Sequence, residues 1–321
     1  MKVEKRAVLH VHTTASDGSG TPRRVIEAAL EAGVDILGIN DHMNLQVRLA
    51  GYGGWHSSLF VLAGAELEDE NRRSHVLVYG VDEIPGSGNT REQLAFIKKQ
   101  GGIAIAAHPT EAPGRLPKTG SYSWKSGTDG LDGVEVWNYM SLWKKRISAW
   151  NLPARILRPD NYATDPDPAA IDFWKAVGGC AVAGPDAHAL RFGIGGMSLE
   201  VFPYEMLFRR MITHVLLDDE LSGSSAEAEE VIIEALKRGK CFCSNVLLGR
   251  ADGFEVLKVE EGLLIRLPGK GDVVVESETG PCGPPATLEP GEHLVPVTGG
   301  GVAVVRVLRE GRTWIFCGIP G

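Results

Sequence analysis

Arg6-Ala7-Val8-Leu9-His10-Val11-His12-Thr13-Thr14-Ala15-Ser16-Asp17-Gly18 is the stretch on which the reading of the fold turns. The apolar run over residues 7–11 predicts a buried strand that ends in His-x-His. Side chains alternate faces along a strand, so His10 and His12 are expected to point the same way. Two imidazoles side by side where a strand stops can hold one metal ion. Asp17 follows in the loop, close enough to reach a second.

Moving outward, Thr21-Pro22 reads as the N-cap and first position of a helix that Gly33 closes. Short apolar strands are predicted over residues 34–39, 59–65, 75–81, 103–107, 133–137 and 180–183. Helices are predicted from Thr90 to Gln100, over 142–157 with Pro153 interrupting, over 168–177 and over 225–237. Strands alternating with helices indicate βαβ units and a parallel sheet, and this many of them suggest a barrel. After residue 246 helical periodicity gives way to β-rich runs at 254–259, 263–267, 272–276, 302–308 and 313–317. The expected division is therefore a barrel over 1–245 and a small all-β C-terminal unit over 246–321, docked on the barrel.

The 321 residues are 43% apolar, enough for a full core. A net charge of −8 argues against an extended nucleic-acid-binding surface. The five cysteines include no Cys-x-x-Cys, so buried free thiols are expected. No run approaches the ~18 consecutive apolar residues of a membrane span, and no secretory segment is read, so a cytoplasmic location is expected. The oligomeric state is not legible.

The chemically suggestive residues fall at strand ends: His10, His12, Asp17, His42, Glu66, His108, Asp186 and His188, with His75 at the start of its own segment. Barrel enzymes build their sites at the C-terminal ends of the strands. Taken singly, each residue could be a cap or a satisfied polar group. As nine converging groups they need ions between them, because buried carboxylates require a positive partner. Mixed imidazole and carboxylate ligands suit Zn²⁺, Mn²⁺ or Fe²⁺, and the lack of thiolates argues against a structural zinc. Asp41 precedes His42 and points to the opposite face, so His42 is the expected ligand and Asp41 a support. Glu68 is a weaker ligand candidate, and Glu135 a support or a core hydrogen-bonding group. The run Lys144-Lys145-Arg146 reads as a solvated helix face.

His10-x-His12…Asp17, Asp41-His42, Glu66, His75, His108-Pro109 and Asp186-x-His188 together resemble the PHP (polymerase and histidinol phosphatase) family of metal-dependent phosphoesterases, over roughly residues 6–190. The resemblance implies a distorted (β/α)7 TIM-like barrel and two to three divalent metal ions. It implies one ion on His10, His12, Glu66 and Asp186, a second on His75 and His108 with Glu66 bridging, and a third on Asp17, His42 and His188. The Thr-Thr-Ala-Ser-Asp-Gly wording resembles the branch acting on nucleotide or oligonucleotide phosphoesters. Gly239-Lys240-Cys241-Phe242-Cys243-Ser244-Asn245 and the β-rich tail resemble the carbaryl-hydrolase-like branch.

The expected function is hydrolysis of a phosphate ester by a metal-activated hydroxide, with Asp186, Glu66 and His188 at the reacting centre. The substrate would be a small phosphoester or a short oligonucleotide, and Arg191 and Arg115 are placed to meet its phosphate. Hydrolysis of carboxylic esters, carbamates or amides on the same metals is the alternative, and a non-catalytic metal-binding module is the third reading.

Overall fold

The computed structural model describes residues 2–114, 120–148, 150–161, 165–194, 197–277, 280–297 and 303–319. The N-terminal strand β1 (Val3–Val11) leads into helix α1 (Pro22–Ala32), which Thr21 caps and Gly33 ends with a φ of 70°. There follow β2 (Ile36–His42), β3 (Leu59–Glu68) and β4 (His75–Tyr79). Next come α2 (Thr90–Lys99), β5 (Ile103–Ala107), β6 (Gly133–Asn138) and α3 (Tyr139–Arg146). After α4 (Leu152–Leu157) and α5 (Pro168–Val177) the chain enters β7 (Cys180–Gly184). Then β8 (Met211–Leu217), α6 (Ser225–Lys237) and β9 (Cys241–Asn245) complete the main α/β region. The sequence reading did not contain β8, and it joined α3 and α4 into one helix.

One large mixed sheet carries the fold, in the order β8-β1-β2-β3-β4-β5-β6-β7. The pairs β1–β2, β2–β3, β5–β6 and β6–β7 are parallel. Strand β4 runs antiparallel to both of its neighbours, β3 and β5. This reversal explains why His75 begins its strand while the other candidates end theirs: both positions lie on the same edge of the sheet. Strands buried on both faces read as continuous apolar runs rather than alternating ones. One core packs Val8, Leu37 and Val61 with Val25 and Ala29 of α1. The other takes the alternate residues Leu9, Phe60, Leu62 and Ile105 and closes on Ile232, Ile233 and Leu236 of α6.

Among the described residues the strands do not close into the barrel expected from the sequence. The outer edge of β1 pairs antiparallel with β8 over Val3–Ala7. Strand β7 makes no ladder with β1. Instead the Thr213 hydroxyl of β8 bonds the backbone of Ala183, at 2.9 Å from N and 3.0 Å from O. Past β7, one bridge joins Val11 to Ala187, with His12 N donating to Ala187 O at 2.9 Å. The end of β1 and the segment after β7 thus meet at the rim where the candidate ligands lie.

Beyond residue 246 the described regular structure is almost all β. Strands β10 (Gly271–Ser277), β11 (Ala303–Arg309) and β12 (Arg312–Ile319) extend the main sheet, because β12 pairs with β9 through Cys243↔Phe316 and Ser244↔Ile315. Cys180, Cys241, Cys243 and Cys317 are buried free thiols. No described helix is long and apolar enough to cross a membrane.

Candidate metal centre

His10 and His12 do come together, with ring centroids 5.2 Å apart, but not by plain strand alternation. The β1–β2 register slips between Val8 and Val11, and His10 sits in the bulge with a φ of 70°. His108 and Asp186 also have positive φ, 27° and 54°. Left-handed backbone at a non-glycine residue costs on the order of 1–3 kcal/mol and persists where the surroundings enforce it. Three of the nine candidates carry this strain, each turned from its strand direction toward a common centre.

Glu66, buried at the end of β3, lies at that centre. Its Oε1 is 2.8 Å from His75 Nδ1 and 3.2 Å from His108 Nε2. Its Oε2 is 3.4 Å from His10 Nε2, 3.3 Å from His12 Nε2 and 3.3 Å from His42 Nδ1. Asp186 Oδ1 lies 3.3 Å from His10 Nε2 and 3.5 Å from His12 Nε2. Asp17 reaches His188 Nε2 at 3.2 Å and His42 Nε2 at 3.6 Å. The nine candidates fall into overlapping metal-competent groups: His12, Asp17, His42 and His188; His10, His12 and Asp186; His10, Glu66 and His108; His42, Glu66 and His75. A tenth residue, Glu111, joins a group with His108 and Asp186.

The supports are clear. Buried Glu135 receives His10 Nδ1–H at 2.9 Å, the His108 amide at 2.9 Å and the Asn138 side chain at 2.9 Å. That contact fixes the His10 tautomer and leaves Nε2 free toward the centre. Asp41 stays out of the groups and ties down the loop after His12, accepting from Thr13 N at 2.8 Å, Thr13 Oγ1 at 2.7 Å and Ser16 Oγ at 2.5 Å. Glu68 lies 3.3 Å from His42 Nδ1. Arg191 is exposed on the strand Leu190–Ile194, which pairs antiparallel with Met197–Val201, its Nε 3.3 Å from Glu200 opposite. Arg115 lies outside the described residues.

Several ring nitrogens here are buried without a hydrogen-bond partner: His10 Nε2, both nitrogens of His12, His42 Nδ1, His75 Nε2 and His108 Nδ1. Each such buried group costs about 1–3 kcal/mol. Imidazoles left unpaired around carboxylates are a donor set that fits divalent ions.

The electrostatics of the cluster point the same way. Burial opposes protonation of His12, but its contacts with Asp186 and Glu66 more than offset this and hold it up to about 9, from 6.5. Burial would raise the Glu66 and Asp186 carboxyls, yet the surrounding histidines, His10 foremost, hold both well below the ordinary carboxylate range. A raised histidine stabilises the metal-free fold fully below its unfolded pKa, and that contribution fades as pH climbs through the folded value. Ions must displace these protons. Metal affinity is therefore expected to rise with pH up to about 9. Calorimetry at pH 7 in buffers of different ionisation enthalpy should detect released protons; identical heats in all buffers would contradict this.

Gly184 ends β7 against this framework, where an added Cβ would run into Glu135 Oε1 and the His10 Cβ. Gly184→Ala is expected to displace Glu135 and weaken metal affinity about 10–100-fold. Equilibrium dialysis checks this, and unchanged affinity would count against Glu135 as the orienting group.

Sequence reasoning missed Glu111, Tyr122 and Lys144. Glu111 is buried, with Oε2 3.6 Å from His108 Nδ1. Lys144 is not on a solvated face: its Nζ pairs with Glu111 and lies 4.9 Å from the centroid of the Tyr122 ring. The Tyr122 ring is 4.7 Å from that of His75. The available signal for Glu111 was its position three residues past a strand-end histidine, where one turn brings it back, Glu111 N bonding His108 O at 2.9 Å.

No family model matches the chain. Across 100% of its length it shares a fold with 96% of a two-domain protein from Bacteroides vulgatus containing a predicted PHP-like metal-dependent phosphoesterase, at a TM-score of 0.51 and 14% identity. The uncharacterized protein MJ1587 of Methanocaldococcus jannaschii is 28% identical over 151 residues, which cover 41% of this chain and 81% of that protein.

Proposed function

We propose that this chain is a metal-dependent phosphoesterase that hydrolyses a small phosphate ester. The observation that carries the reading is the division of Glu66: one oxygen faces His75 and His108, the other faces His10, His12 and His42. A carboxylate shared between two sets of imidazoles suits a bridging ligand. The similarity to a fold that contains a predicted PHP-like phosphoesterase supports the same reading.

His10, His12, Glu66 and Asp186 would hold one ion, His75, His108 and Glu66 a second, and Asp17, His42 and His188 a third. Bound Mn²⁺, Zn²⁺ or Fe²⁺ supplies a water activated at neutral pH and neutralises charge on phosphoryl oxygens. The protein's part is to fix the ligands and exclude bulk water. Glu135 orients His10, the bulge at His10 turns its ring inward, and Asp41 pins the His12–Asp17 loop. Asp186 and His188 bring ligands from the opposite end of the sheet. Arg191 would meet the outer part of the ester, a role suited to nucleotide-like substrates.

Asp186→Ala is expected to lower turnover of p-nitrophenyl phosphates by about 10³-fold or more. The circular dichroism spectrum should remain that of the wild type. The panel should include p-nitrophenyl acetate and a carbamate. Wild-type phosphate rates in the variant, or cleavage of only the carboxylic substrates, would contradict the proposal.

A further inference from the structure

Helix α3 grows directly out of the candidate centre. Its N-cap is Asn138, whose Oδ1 accepts from Ser141 N at 2.7 Å and whose Nδ2 lies 2.9 Å from Glu135 and 3.4 Å from Asp186. The helix is therefore indexed to the ligands, and Lys144 follows six residues on. Its side chain is only 20% exposed, against 46% for Lys145, which bonds Asp167 at 3.1 Å. Lys144 turns inward, where its ammonium meets Glu111 and the face of Tyr122. Tyr122 in turn lies against His75 and, at 6.1 Å, His108. Glu111 shares a metal-competent group with His108 and Asp186. A primary ammonium is thus held at the wall of the cluster, on the side of His75 and His108.

Resting on the phosphoesterase reading, we propose that Lys144 is the substrate-binding cation of this site. Its ammonium donates to a terminal phosphate oxygen, with Tyr122 as the adjoining wall. In the free protein Glu111 is the ammonium's partner, so a ligand must compete with a carboxylate for it. A terminal phosphate carries about −1.5 to −2 charge at neutral pH and three acceptor oxygens, and competes well. A diester offers one spread charge and competes poorly. The substrate class that follows is a phosphomonoester.

The test is calorimetric titration of the Mn²⁺-loaded protein with inorganic phosphate, together with metal counting. Lys144→Met is expected to weaken phosphate binding about 10–100-fold with metal per chain unchanged. Lys144→Arg should stay within a few-fold of wild type. The double variant Lys144→Met/Glu111→Gln separates binding from mere neutralisation of Glu111, and is expected to remain weak. Wild-type phosphate affinity in Lys144→Met, its recovery in the double variant, or weakening that tracks lost metal would each overturn the assignment of Lys144 and leave the phosphoesterase reading standing. A wild-type protein that neither binds phosphate nor cleaves a phosphate ester would overturn both.

Discussion

Glu66→Ala is expected to cost about 10³-fold or more in turnover of phosphate esters, the scale seen when a reacting centre loses a member that acts as part of a unit. Glu66 is fully enclosed and lies within 2.8–3.4 Å of ring nitrogens from five histidines. Removing it leaves His10, His12, His42, His75 and His108 without the anion that gathers them. The loss should exceed that of any one histidine variant, because both sets of imidazoles are affected together. Glu66→Gln keeps the volume and one acceptor oxygen but not the charge, and should be nearly as inactive. Steady-state rates on p-nitrophenyl phosphate check this; a Glu66→Ala loss of less than tenfold would show that the bridge is unimportant.

The second large effect is on stability. Ions that bind only the folded state stabilise it by mass action. At a free concentration about a thousand times the dissociation constant, one ion contributes about 4 kcal/mol, and each kcal/mol moves Tm by about 1.5 °C in a chain of this length. Chelated protein supplied with saturating Mn²⁺ or Zn²⁺ should therefore melt about 6 °C higher for one tight site, and more for two. Differential scanning fluorimetry measures it. A shift under 2 °C with every divalent ion would mean that the cluster does not bind metal tightly.

Much of this centre was legible because ligand chemistry and strand ends are both local properties. Residues 7–11, 59–65 and 103–107 read as apolar runs, and the polar residue closing each run stood out. His75 fitted the set only by its chemistry, since the antiparallel course of β4 is a property of pairing rather than of the segment itself. The convergence of His10 and His12 was expected for a simpler reason than the real one: the bulge and the φ of 70° at His10 leave no mark in the residue pattern. Sheet closure was also beyond the sequence. It depends on whether β7 or β8 takes the edge of β1, and Met211–Leu217 carries a histidine and a threonine that gave no cue. Lys144 shows the same limit on a smaller scale. In a run of three basic residues nothing marks the one that turns inward; that depends on buried Glu111, 33 positions earlier in the chain.

The most direct test of the central claim is a count of metal ions. Protein loaded with Mn²⁺ or Zn²⁺, freed of excess ion and analysed by plasma mass spectrometry should hold at least two ions per chain, and Glu66→Ala at least one fewer than the wild type. A wild-type content below one ion per chain under every loading condition would contradict the account.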